Sequence, residues 1–122
     1  MVILDGKMVT VTGSYYEGTF YDAKLEGKGY FCTSSGKVIY SGEFKDGKYH
    51  GFGKLYSTKD TYYEGEFVDN KAHGFGTFWF HDKTIYRGGV VNGVLHGEAE
   101  VWLPDGRYFK ARFENGKAVQ TY

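Results

Sequence analysis

One phrase, repeated at a fixed spacing, constrains this chain more than any other feature. Tyr63-Glu64-Gly65-Glu66-Phe67 is followed by His73-Gly74-Phe75-Gly76. Twenty-three residues earlier stand Tyr40-Ser41-Gly42-Glu43-Phe44 and His50-Gly51-Phe52-Gly53, and 23 residues later Tyr86-Arg87-Gly88-Gly89-Val90 and His96-Gly97. Periods of roughly 20–50 residues mark arrays in which one supersecondary unit buries its face only by stacking on its neighbours. The register runs both ways. Gly6, Gly29, Gly53, Gly76 and then Ala99 share one phase, and Tyr16, Tyr40, Tyr63, Tyr86 and then Phe109 share another. The chain therefore divides into an N-terminal half-repeat (1–15), four repeats (16–39, 40–62, 63–85 and 86–108) and a C-terminal half-repeat that caps the stack (109–122). One extra residue lies between Gly29 and Tyr40, and the polar stretch Thr33-Ser34-Ser35-Gly36-Lys37 is the expected place for a loop to absorb it.

Each unit reads as two strands. Tyr63, Gly65 and Phe67 alternate with Glu64 and Glu66, which sends the two sets to opposite faces. The pairs Asp46-Gly47, Asp69-Asn70, Asn92-Gly93 and Asn115-Gly116 tolerate the positive φ of a tight hairpin. With 19 Gly, 12 Tyr, 10 Phe and one Pro, the composition also disfavours helices and favours strands. The fold class is all-β. Gly74 and Gly76, inside the returning strand, mark a close approach by another group, expected to be a neighbouring aromatic ring.

Tyr-x-Gly-x-Phe, a turn and His-Gly-x-Gly at this period resemble the MORN (membrane occupation and recognition nexus) repeat. Tyr40–Gly53 and Tyr63–Gly76 match closely, Tyr16–Gly29 has Glu26 in place of His, and Tyr86–Ala99 keeps His96-Gly97 but loses the second Gly. The resemblance implies an elongated, single-layer, twisted antiparallel sheet of stacked β-hairpins with half-repeats at both ends and an aromatic-lined groove.

Lys plus Arg number 15 and Asp plus Glu number 15, so the net charge is zero. That removes the bulk electrostatic case for nucleic acid or an anionic membrane as a partner. Cys32 is the only cysteine, which excludes an intrachain disulfide, and no apolar run suggests a signal peptide or spanning helix. A cytoplasmic setting, with cytoskeletal or membrane association, is the expectation. His50, His73 and His96 suggest zinc, but equivalent positions of successive hairpins lie about 10 Å apart and zinc needs each nitrogen within about 2.1 Å. The bland role, satisfying backbone or covering a glycine, is preferred. Glu17 and Glu64 are too distant to act together, and Glu43 and Glu66, about 10 Å apart, sit on a solvated face. No catalytic residue, metal ligand or cofactor is expected, and the chain is read as not an enzyme.

Binding is the better reading. Tyr16, Phe20, Tyr40, Phe44, Tyr63, Phe67 and Tyr86 are expected to form a continuous row lining a partner-binding groove, flanked by Phe52, Tyr56, Phe75 and Trp79. Such rings suit an extended or helical peptide of another protein. The outward positions of the first strands run from acidic (Glu17, Glu43, Glu64, Glu66) to basic (Arg87, Lys110, Arg112), and Arg87, Arg107, Lys110 and Arg112 are a candidate basic end patch. Unpaired edge strands favour a homodimer. Phospholipid or phosphoinositide binding, which the resemblance implies for some family members, is the weaker alternative, because headgroup sites gather about four to eight Lys/Arg and this chain interleaves its basic residues with Asp105 and Glu114. A regulatory part of a larger enzyme is the third reading, since MORN arrays stand beside lipid-kinase and lysine-methyltransferase domains.

Overall fold

Two kinds of turn, used in alternation, lay the chain into one sheet. In the computed structural model, which describes residues 3–57 and 60–122, strands β1 (Ile3–Val9), β2 (Tyr15–Tyr21), β3 (Lys24–Cys32), β4 (Val38–Lys45), β5 (Lys48–Tyr56), β6 (Tyr62–Val68), β7 (Lys71–Trp79), β8 (Ile85–Val91), β9 (Val94–Trp102), β10 (Tyr108–Glu114) and β11 (Lys117–Thr121) pair antiparallel in sequence order. No helix occurs among the described residues. Within hairpins the turns have two residues, both at positive φ: Asp46 and Gly47 at 52° and 77°, Asp69 and Asn70 at 46° and 73°. That is the mirror-image turn whose twist matches the strands. A fifth such turn, Asp22-Ala23, carries no sequence signal at its second position, where Ala23 sits at φ 67°.

Between hairpins the turns are five residues long and closed the same way each time, as by Thr33 N–H to Lys37 O at 2.8 Å and Phe80 N–H to Thr84 O at 2.9 Å. Their fourth residue is left-handed, glycine at Gly13, Gly36 and Gly106 but Lys83, at φ 76°, in the β7–β8 turn. The stretch 33–37 is thus an ordinary member of this set and does not hold the extra residue. Phe31 pairs with Tyr40 while Cys32 pairs with Val38, so Ile39 is the insertion, a bulge within β4. A bulge leaves one residue unpaired and keeps the alternation intact on either side.

The glycines explain how a single layer buries anything. Tyr40 and Tyr63 lie flat along the sheet, over the glycines of the returning strand. A Cβ on Gly53 or Gly76 would fall 2.2 to 2.5 Å from the Tyr40 ring or 2.3 to 2.4 Å from the Tyr63 ring. Each hydroxyl then reaches forward three residues: Tyr40 donates to Glu43 O at 2.7 Å, Tyr63 to Glu66 O at 3.0 Å and Tyr86 to Gly89 O at 2.5 Å. With their hydroxyls satisfied and their rings covered, Tyr40, Tyr63 and Tyr86 are 0, 2 and 1% exposed. Burial raises the Tyr40 hydroxyl pKa and brings those of Tyr63 and Tyr86 up to about 12.

Phe44 and Phe67 meet the Tyr40 ring edge-on at 5.0 and 5.2 Å, and Tyr49 stacks on it at 3.8 Å. Edge-to-face and offset contacts of this kind contribute beyond area alone. The end repeats vary the device. In the first, Leu25 occupies the space over Gly29, and in the fourth Ala99 stands where Gly53 and Gly76 stand and is itself buried.

Candidate functional site

The burial that stabilises the sheet also decides which face is available. Of the aromatic row read as a groove, Phe20, Tyr40, Phe44, Tyr63, Phe67 and Tyr86 are buried in the core, and Tyr16 is half-buried against Phe31 and Phe44. These rings bury one another and the glycines, so, Tyr16 apart, they offer a partner almost no surface. That expectation is corrected: the row is the core, and the open face is the other one.

The four residues expected to flank that row lie on the opposite side of the sheet, where side chains project from the intervening positions. Phe52 and Phe75 are 61 and 53% exposed. Tyr56 and Trp79 belong to a row in continuous register across six strands: Tyr56 opposite Tyr62, Tyr62 opposite Trp79, Trp79 opposite Ile85, Ile85 opposite Trp102, Trp102 opposite Tyr108. Tyr62 and Trp79 stack at 4.7 Å with planes 13° apart, and Trp102 meets Tyr108 at 5.2 Å. Between this row and Phe52/Phe75 runs a trough of about 900 Å³, with Lys54, Glu64, Thr77 and Arg87 on its floor.

The donors on the two faces differ in state. On the core side Tyr40, Tyr63 and Tyr86 hydroxyls are all engaged. On the trough side, among the described residues, the hydroxyls of Tyr56, Tyr62 and Tyr108 and the indole N–H groups of Trp79 and Trp102 make no hydrogen bond within the chain.

A family model described as MORN repeat matches residues 16–38, 40–62, 63–85 and 86–106, most of the chain. The chain belongs to the MORN-repeat family. No curated protein matched it. MORN repeats are generally modules for protein or lipid interaction, and MORN proteins are typically non-enzymatic.

The repeat's polar signature residues serve the MORN stack itself. His73 Nδ1 accepts the Asn92 N–H at 3.2 Å, and Glu26, at the same repeat position, accepts the Asp46 N–H at 3.0 Å. Each thus closes the turn of the next hairpin, rather than its own. His50 Nδ1 lies 3.8 Å from Asp69 Oδ1 and is buried without a hydrogen-bond partner. No group of three or more His, Cys, Asp or Glu among the described residues could hold a metal ion.

Glu43 and Glu66, read as solvated, instead fold back onto backbone: Glu66 accepts the Phe75 N–H at 2.7 Å and Glu43 the Phe52 N–H at 3.3 Å. A Cβ on Gly51 or Gly74 would meet these carboxylates at 2.6 and 2.1 Å, and the two glycines adopt φ of 92° and 116°. The His-Gly pair is therefore fixed by backbone geometry.

The charges also fall differently from the first-strand reading. In register across the trough face lie Lys7, Glu17, Tyr30, Ser41, Lys54, Glu64, Thr77, Arg87, Glu100 and Lys110. The returning strands insert Lys54 and Glu100, so signs alternate rather than drift from acidic to basic. The candidate basic end patch is likewise interrupted by carboxylates. Arg107 bonds Asp105, Arg112 bonds Glu114, and Lys110 and Arg87 each face Glu100.

Proposed function

We propose that this MORN sheet is a non-enzymatic protein-interaction module that holds a peptide or helix of a partner protein in the trough on its open face. The observation that carries this reading is the six-strand row of five aromatic side chains and Ile85, whose hydroxyl and indole donors are unspent. Tyr and Trp anchor interfaces because they offer large area at small entropic cost, and free donors at their tips can satisfy a partner's carbonyls. The alternating charge row and the paired Arg107 and Arg112 supply no concentrated site for anionic headgroups, which supports protein over lipid.

Selection from a displayed peptide library on the immobilised protein tests it. Enriched peptides are expected to bind the parent and to lose at least tenfold in affinity for a Trp79→Ala/Trp102→Ala variant that retains its circular dichroism. Equal binding to both, or no enriched peptide together with cosedimentation on phosphatidylserine vesicles, overturns the reading.

A further inference from the structure

The charged row on the trough floor has a second property: it is its own complement. Lys54 (β5), Glu64 (β6), Thr77 (β7), Arg87 (β8) and Glu100 (β9) stand directly opposite one another on five successive strands. About Thr77 the signs are antisymmetric. One strand away lie Glu64 and Arg87, and two strands away lie Lys54 and Glu100.

Among the described residues, none of these four charges has an ion-pair partner. The ion pairs among the described residues are His50–Asp69, Arg107–Asp105 and Arg112–Glu114. Lys54 instead lies over the Tyr62 ring at 4.8 Å, and Arg87 lies 5.9 Å from the Phe75 ring.

We infer that this face docks on a second copy of the chain, across a two-fold axis that runs parallel to β7 over Thr77. The inference rests on reading the trough face as an interaction surface, and it names an occupant for it. In such an isologous contact each residue meets its mirror-strand counterpart in the partner copy. Glu64 then faces Arg87 and Lys54 faces Glu100, twice each.

The aromatic row obeys the same axis: Trp79 meets its own copy, Tyr62 meets Ile85, and Tyr56 meets Trp102. Within a five-strand footprint every other placement matches fewer opposite charges, the best of them, such as an axis midway between β5 and β6, forming one pair twice. An axis over β6 sets Lys54 against Thr77 and forms no opposite pair. An axis over β8 leaves Glu64 with Lys110 alone, and an axis midway between β7 and β8 opposes Glu64 with Glu100. An axis perpendicular to the strands sets every charge against itself. Complementary potentials fix register in this way, and juxtaposed like charges are what they select against.

Five strands at about 4.8 Å and three rows of side chains give a footprint of about 24 by 20 Å, about 500 Å² a side. Standard interfaces bury about 800 Å² per partner, so the contact is weak and concentration-dependent. It also masks the trough, so a peptide ligand competes with the second copy.

Sedimentation velocity from about 1 μM to about 1 mM protein, at low and moderate salt, tests the inference. The parent is expected to pass from monomer to dimer. Glu64→Arg and Arg87→Glu, both at exposed positions, are each expected to weaken the dimer at least tenfold. The double variant restores it, and so does an equimolar mixture of the two single variants, because each then meets only opposite charge. A parent that stays monomeric throughout overturns the inference, as does a dimer indifferent to either single change, or a mixture that fails to associate. Peptide binding lost in Trp79→Ala/Trp102→Ala but accompanied by any of these results overturns self-docking while leaving the interaction reading intact.

Discussion

Gly76→Ala is the substitution that most directly probes how this sheet is held together. The new methyl would fall 2.3 Å from the Tyr63 hydroxyl oxygen and 2.4 Å from two ring carbons. That ring is 2% exposed and its hydroxyl is anchored on Glu66 O at 3.0 Å, so it has little room to retreat. Overpacking of this kind costs about 1 to 3 kcal/mol. Displacing the hydroxyl adds about 1 kcal/mol for the broken bond. Replacing a strand glycine returns about 0.5 to 1 kcal/mol. The net expectation is a loss of about 1 to 3.5 kcal/mol, read from urea unfolding at 25 °C by circular dichroism.

The same change in a Tyr63→Leu background isolates the cause, because leucine ends short of the ring carbons and hydroxyl that collide. There Gly76→Ala is expected to be neutral or stabilising. Ala99 supplies an internal control: it already occupies this position in the fourth repeat, so Ala99→Gly should cost only about 0.5 to 1 kcal/mol. If Gly76→Ala costs under about 1 kcal/mol, or costs the same with Leu at position 63, the ring-on-glycine account is refuted.

Three further outcomes are expected. Ala23→Gly and Lys83→Gly, at φ 67° and 76°, should each raise the urea midpoint by the equivalent of about 0.5 to 1 kcal/mol, since left-handed backbone penalises a Cβ; a fall at both sites contradicts the turn assignment. Glu66→Ala should cost about 1 to 2 kcal/mol by removing the acceptor of the Phe75 N–H, with Glu66→Gln recovering most of it, and equal losses in the two variants would deny that role. Alkaline titration should unfold the sheet. Burial raises the Tyr63 and Tyr86 pKa from 10 to about 12, so the neutral form is favoured in the fold; the stability this contributes is complete below pH 10 and is lost as pH rises through about 12. Tyrosinate absorbance appearing at these sites before any loss of circular dichroism contradicts it.

Hairpins, faces and register were legible because glycine and tyrosine recur in fixed phase, and a period of two leaves no freedom in which side chain faces which way. Which face stays open was not. Tyr63 looks like an ideal anchor in one dimension, and only its hydroxyl bond three residues on and the glycine beneath it reveal that it is spent. In the sequence Phe52 and Phe75 only flank the row, yet they are among the most exposed rings. The inserted residue escapes the sequence for a related reason: Thr33–Lys37 has loop composition, whereas Ile39 is a strand former that bulges without any polar signal. The first strands alone show a drift from acidic to basic, and Lys54 and Glu100, arriving on the returning strands, convert it into an alternation.

Four turn amides point in one direction. Gly47, Asn70, Gly93 and Gly116 each donate to a carbonyl of the preceding hairpin, Leu25, Tyr49, Ala72 and Leu95 respectively. Every strand, moreover, pairs through its backbone only with those beside it in sequence. A hairpin leaving the ribosome therefore finds its docking strand and its turn's acceptor already in place, and the next hairpin completes its packing, as Phe67 does over Tyr40. The stack grows like a crystal face, each finished layer serving as the template for the next.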